Sequence, residues 1–304
     1  MNTQILVGTS AGLWGIGEGG PVAVEALAGR AVVALGGGGA RTYAILDGQS
    51  VWTAGEDGRW QPAADVDELP ATCLGWGTGA LLVGTEQAHL RRLVGASLEP
   101  VASFETVAGR DSWYTPWGDP ADVRSIAVDR AGAIYVNVHV GGVVRSRDRG
   151  RTWAPTLDIK VDVHQVLSHP VRPGVVLVAA AAGFGASRDG GDSWDFTTEG
   201  MHAHYLRAVT VAGDTVLVSA STGPGGRRSA VYRRQLDDTG PFERCSTGLP
   251  QWFSDNIDTA CLVASGPTVV FGTTDGQVFR SPDAGATWEL AAKGLPEVHC
   301  ILAA

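Results

Sequence analysis

The chain has no long apolar run. A membrane-spanning helix needs roughly 18 consecutive apolar residues, and the stretch VVLVAAAAG stops well short of that. The opening MNTQILVGTS lacks a basic segment followed by a long apolar one, so no signal peptide is expected. No Lys/Arg-rich block occurs, and the formal charge is −9, which sets the chain against nucleic acid and anionic membranes as partners. The four cysteines include no C-x-x-C pair, so neither a zinc knuckle nor a disulfide framework is expected. No window sustains a helical period. These absences predict a cytoplasmic, non-helical protein with reduced thiols.

Glycine, by contrast, is plentiful: 42 of 304 residues, about twice the usual share of ~7%. Such an excess suits tight turns between short strands better than long helices. Hydrophobic residues make up 44% of the chain, ample for a core.

An octet S-x-D-x-G-x-(T/S)-W is written three times: SRDRGRTW from Ser146, SRDGGDSW from Ser187 and SPDAGATW from Ser281. The starts are 41 and then 94 residues apart, and 94 is twice 47, leaving room for one degenerate copy. Asp238, Gly240 and Phe242 keep its rhythm there, and EDGRW at residues 56–60 is a worn copy upstream. A period of 40–50 residues is that of propeller blades of four strands. Each octet follows Val/Ile/Thr-rich runs bounded by Gly, Asp and Pro, such as DVRSIAVDRAG, AIYVNVHVGG and VVRSRDRG.

Six such units cover residues 29–64, 70–104, 121–157, 163–198, 205–245 and 256–292. A seventh needs both ends: residues 4–28 supply three strands and residues 297–304 the innermost one. Pairing them removes the exposed sheet edges. The expected fold is therefore all-β, a seven-bladed propeller of four-stranded antiparallel blades in one domain, 1–304.

The octets resemble the Asp-box, or bacterial neuraminidase repeat, of sialidase-like propellers. The resemblance implies that each octet turns between the third and fourth strands of a blade, opposite the usual ligand face, and builds the fold instead of performing chemistry. The Arg-Ile-Pro signature of sialidases is absent and those enzymes have six blades, so the resemblance does not bring sialidase activity. Tyr114 and Tyr205 are only candidates for a tyrosine nucleophile.

Aligning the innermost strands by apolar rhythm leaves one recurring polar position: Arg30, Thr72, Arg124, His164, Arg207, Asp258 and His299. Aromatic loops precede several of these, bringing Trp113, Tyr114 and Trp117, then Tyr205, then Trp252, while Asn137 and His139 end a second strand. An aromatic wall with a few convergent polar groups describes a small-molecule site. Three chemistries follow. Arg30, Arg124 and Arg207 suit a carboxylate, phosphate or sulfate. His139, His164, His204 and His299 suit a divalent metal, with Asp258 beside them. His164, His299, Asp258 and Arg124 form a catalytic set for a hydrolase or lyase, with histidine as general base. Asn137, Trp113, Tyr114, Trp117, Trp252 and Tyr205 complete the ligand-binding set. The expected ligand is a small polar or anionic molecule; the alternative is a non-enzymatic platform for a protein or peptide, anchored by the tryptophans. The glycine run from Gly36 reads as a turn, and GPGGRR (223–228) as a loop able to cover the site.

Overall fold

The computed structural model describes residues 4–139 and 142–304. Strands β1–β3 span Ile5–Thr9, Gly12–Gly17 and Gly20–Ala23; β4–β7 span Val32–Gly38, Arg41–Leu46, Ser50–Ala54 and Trp60–Asp65. Strands β8–β11 span Ala71–Gly77, Ala80–Thr85, Leu90–Val94 and Ser97–Pro100; β12–β15 span Asp122–Val128, Ile134–His139, Gly142–Ser146 and Ala154–Pro155. Strands β16–β19 span Val163–Ser168, Val176–Ala180, Gly183–Ser187 and Asp195–Thr197; β20–β23 span Tyr205–Ala212, Thr215–Ser221, Ala230–Gln235 and Glu243–Arg244. Strands β24–β27 span Leu262–Ser265, Thr268–Gly272, Val278–Ser281 and Glu289–Ala292, and β28 spans Val298–Ala303.

These strands form seven four-stranded sheets in simple meander order, and β28 pairs antiparallel with β1, Ile5 opposite Ala303 and Val7 opposite Ile301. The protein is a seven-bladed β-propeller, closed by its last strand as the sequence predicts. Its contacts cluster into two compact units. One comprises Met1–Val32, Ala179–Phe184 and Phe196–Ala304; the other comprises Val33–Val178 and Gly185–Asp195.

Second strands such as Val176–Ala180 and Thr268–Gly272 are buried along their whole length. A strand covered on both faces needs an unbroken apolar run, and these sequences supply one. In the second unit, glycines of the innermost strands let neighbouring sheets approach. A Cβ on Gly38 would lie 1.9 Å from Trp76 Cδ2, one on Gly75 2.4 Å from Ile126, and one on Gly77 2.3 Å from Val128. The glycine run is therefore largely strand: Gly36–Gly38 belong to β4, and only Gly39 lies in the turn that follows. Its composition serves close packing against the next sheet.

All four cysteines are buried and unbridged. Three of them point their thiols at a carbonyl of the adjacent sheet: Cys73 at Val123, Cys261 at Val298 and Cys300 at Val32, at 3.7, 3.6 and 3.6 Å. Burial pushes the Cys73 thiol up to about 12 and the Cys245 thiol to about 11, so both stay protonated near neutrality.

Each octet links the third and fourth strands of its sheet, and the three share one hydrogen-bond pattern. The buried Ser146, Ser187 and Ser281 hydroxyls accept the N–H of Gly150, Gly191 and Gly285 at 2.8, 2.7 and 2.8 Å. They also donate to Asp148, Asp189 and Asp283 at 2.8, 2.8 and 2.9 Å. The other carboxylate oxygen accepts the hydroxyl of Thr152, Ser193 or Thr287. Those hydroxyl bonds, aided by backbone N–H donors, hold all three carboxyls well below the usual carboxylate range. The glycine is left-handed in every copy, φ 84°, 89° and 82°. Trp153 and Trp288 then cover Phe104 and Phe271, edge-on, at 5.1 and 5.0 Å between ring centres. The serine hydroxyl and the aspartate carboxylate of each octet are thus engaged within the turn they build.

Candidate functional site

A recurring polar side chain is placed by a recurring backbone device. The β1–β28 pairing skips His299, the β8–β9 pairing skips Thr72, the β12–β13 pairing skips Arg124, and the β20–β21 pairing skips Arg207 with Ala208. Each of these residues sits at a β-bulge of an innermost strand. A bulge adds an unpaired residue and re-aims its side chain, a common arrangement beside functional sites.

In the second unit several candidates lie together beside the Arg124 bulge. His139 ends β13, and its Nε2 lies 3.4 Å from Asp162 Oδ1. His164, fully buried on β16, places Nε2 3.7 Å from the same oxygen. The two imidazole rings are 5.9 Å apart. One ligating atom from each of His139, Asp162 and His164 lies within 4.8 Å of the others. Asp162 stands between a 3-10 turn, Ile159–Val161, and β16, in the left-handed conformation with φ 51°. Aspartate tolerates that region better than most residues. Its Oδ1 is buried and accepts no hydrogen bond of good geometry. Contact with His139, followed by the charges of His164 and Arg124, holds its carboxyl below the usual range against the opposing effect of burial.

Asn137 lies two residues before His139 in β13, so both project from the same side of that strand. Asn137 is fully buried, and neither its amide oxygen nor its amide nitrogen has a hydrogen-bond partner. A buried amide without partners costs about 1–3 kcal/mol, which marks a place where a ligand or water belongs. Trp117, 67% exposed, lies 6.2 Å from the His139 ring. Tyr114 is also exposed, and its backbone bridges Pro120, so the loop is closed on itself.

Other expected site residues do other work. Trp113 is buried against Phe104, 5.9 Å away, with the Arg110 guanidinium 5.2 Å over its ring; it is core, because residues 104–113 fold back onto their own sheet. Among the described residues, His204 and His299 join no metal-ligating group. His204 instead bonds the Ala181 carbonyl through Nδ1 at 2.7 Å, and His299 lies half-buried at its bulge. In the first unit Arg207 pairs with Asp258 at 3.2 Å, over the ring of Tyr205 at 5.4 Å, so these two charges offset each other. Arg30 is half-buried just before β4. Trp252 carries Arg244 over its ring at 4.0 Å and Arg228 at 5.2 Å, with His202 at 4.5 Å, so its ring is already flanked by its own neighbours. The 223–228 loop is tethered: Asn256 donates to the carbonyls of Gly223 and Pro224, and Ser221 donates to Asn256.

Asp162 was not among the residues expected from sequence. The signal was present in the triplet Asp162-Val163-His164, which puts a carboxylate and an imidazole two apart at a strand entrance. It went unread because Asp162 precedes the strand and reaches the site only through its left-handed backbone.

No protein-family model matches the chain, and no curated protein matches it. Solved structures share the fold. A GH74 xyloglucanase from Xanthomonas campestris aligns with TM-score 0.63 at 15% identity, covering 95% of this chain and 47% of that one. The chain thus spans about half the length of that enzyme. YCF48 bound to D1 peptide aligns with TM-score 0.60 at 14% identity, covering 99% and 89%. The WD40 propeller domain of Doa1 aligns with TM-score 0.60 at 13% identity, covering 85% and 81%. At these identities the likeness is one of fold. No helix among the described residues is long and apolar enough to cross a membrane.

Proposed function

We propose that this propeller holds a divalent transition metal between His139, Asp162 and His164 and uses it, with Arg124, to bind a small anionic ligand. The observation that carries the reading is the three-residue cluster itself, with Asp162 Oδ1 at 3.4 and 3.7 Å from two imidazole nitrogens. Ligands of a tetrahedral zinc at about 2.1 Å stand about 3.4 Å from one another, so these spacings need little adjustment. Two imidazoles and a carboxylate suit zinc, iron, nickel or manganese and leave coordination positions open for water or ligand. A metal there would polarise an oxygen of the ligand or lower the pKa of a bound water, the chemistry of a hydrolase or a lyase. Arg124 supplies the positive charge for an anion, and Asn137 the amide. The three octets are read as Asp-box repeats of a sialidase-like propeller, on the shared Ser–Asp–Gly geometry.

Calorimetric titration of zinc into chelator-dialysed protein, with elemental analysis of the reloaded protein, tests the site. One ion per chain is expected, bound at least tenfold more weakly in His139→Ala and in Asp162→Asn. Absence of metal binding by the wild-type protein refutes the proposal. The second reading is a recognition surface for a protein or peptide. It is favoured by the exposure of Trp117 beside the cluster and of Tyr114 in the same loop and by the likeness to a propeller bound to a peptide. Peptide capture that depends on Trp117 and survives His139→Ala would select it.

A further inference from the structure

The octet beginning at Ser146 differs from the others in its variable positions. It carries Arg149 and Arg151 where the second octet has Gly190 and Asp192 and the third has Ala284 and Ala286. Residue 149 is left-handed, φ 62°, as are Gly190 at 74° and Ala284 at 54°. Glycine takes that conformation freely, whereas a long side chain is strained in it. The fold needs only something small there, so a large cation at this position calls for a purpose beyond the turn.

Its surroundings supply one. Arg92, Arg149 and Arg151 line a single concavity together with Thr78, Ala80 and Gly150. A second concavity continues from the shared Thr78 and Arg149 to Arg130 and the half-buried Trp76. Arg92 Nη2 would be 3.6 Å from a Cβ on Gly150, so the absent side chain leaves room for the guanidinium. Arg92 Nε is buried and has no hydrogen-bond partner.

Several arginines elsewhere in this acidic chain pair with carboxylates. Arg145 and Arg147 grip Asp192 at 2.8 and 2.6 Å, and Arg110 holds Glu105 at 3.0 Å. Among the described residues, no carboxylate bonds to the side chains of Arg92, Arg149 or Arg151. The nearby acids are otherwise engaged or placed. Asp148 is consumed by its own turn, Asp129 is buried and accepts the Ala133 N–H, and Glu99 stands opposite Arg92 in the β10–β11 register without forming an ion pair.

We propose that the Arg92–Arg149–Arg151 concavity is a binding site for a tetrahedral oxyanion, phosphate or sulfate, carried by a small molecule. Guanidinium forks donate paired N–H bonds that match such an anion. Thr78 adds a hydroxyl, and Trp76 offers an aromatic surface for the body of the ligand at the far end. This site is built from the first octet turn and the neighbouring strands Ala80–Thr85 and Leu90–Val94 of the second unit, and it uses none of the residues of the His139–Asp162–His164 cluster.

The test uses the full chain and calorimetric titration with inorganic phosphate, sulfate and chloride at fixed ionic strength. Phosphate or sulfate should bind and chloride should not. Arg149→Gly places at residue 149 the amino acid that the second octet already uses there, so the turn is kept; Arg92→Met keeps the aliphatic stem. Each should weaken oxyanion binding at least tenfold while leaving zinc binding unchanged. Adenosine monophosphate and glucosamine 6-sulfate then separate the two sources: whichever binds more tightly than its inorganic anion names the carrier. The proposal is overturned if neither oxyanion binds the wild-type protein. It is also overturned if both variants bind as the wild type does.

Discussion

Replacing the octet serines by alanine isolates the part of the repeated turn that is out of water. Ser146, Ser187 and Ser281 are at most 1% exposed. Each alanine strips the buried glycine N–H of its acceptor, at 2.8, 2.7 and 2.8 Å, and removes a donor to the aspartate. A buried donor left unsatisfied costs about 1–3 kcal/mol, so about 2 kcal/mol is expected for each single variant. At an unfolding entropy of about 2.1 cal/mol/K per residue, a chain of 304 residues loses about 3 °C in Tm for that amount. The three octets share no serine-bonded partner, so their effects should nearly add, giving about 6 kcal/mol and 9–10 °C for the triple variant. Scanning calorimetry and urea unfolding followed by far-UV circular dichroism measure both quantities. Asp195→Ala, an exposed change just outside an octet, should stay within about 0.5 kcal/mol. Should the serine variants behave like Asp195→Ala, the hydroxyls do not hold the turns, and the structural reading of the octet is wrong.

Two further outcomes follow from the packing and the charges. Gly38→Ala, whose Cβ would meet Trp76 at 1.9 Å, should cost about 1–3 kcal/mol by overpacking, whereas Gly37→Ala, with open space around it, should be close to neutral; denaturant midpoints decide it. The octet aspartates titrate lower in the folded chain than in the unfolded one. Their contribution is therefore present above the unfolded value of about 3.9 and is lost as pH falls through the depressed folded values. An acid titration should show a steep loss below about pH 4, and Asp148→Asn, Asp189→Asn and Asp283→Asn combined should flatten that limb; an unchanged limb would show that other groups control it.

The fold was legible because its unit is short and repeated. The octet marks where the third strand ends, glycine marks the turns, and β28 could be assigned to the first sheet because residues 4–28 lacked a strand. The candidate cluster was legible in part: His164 and Arg124 stand at the recurring polar position of otherwise apolar innermost strands, and Asn137 and His139 close the second strand β13. What was hidden lay in irregular backbone. The left-handed bend that delivers Asp162 leaves no periodic trace. The burial of Trp113 depends on Phe104 and Arg110 folding back from the same connection, and an aromatic loop reads alike whether it faces ligand or core. The Arg207–Asp258 pair shows the same limit: two opposite charges at equivalent positions read as two ligands for a third party until their distance is known.

The pairing of β1 with β28 also has a mechanical side. Gln4 and Ala304 exchange main-chain hydrogen bonds at 2.8 and 3.0 Å, so the first and last described residues sit together at one end of an antiparallel ladder. A force pulling them apart would load the rungs in succession, Ile5–Ala303 first and then Leu6–Leu302, in the manner of a zip. Tension applied at those two points should therefore open the clasp at low force.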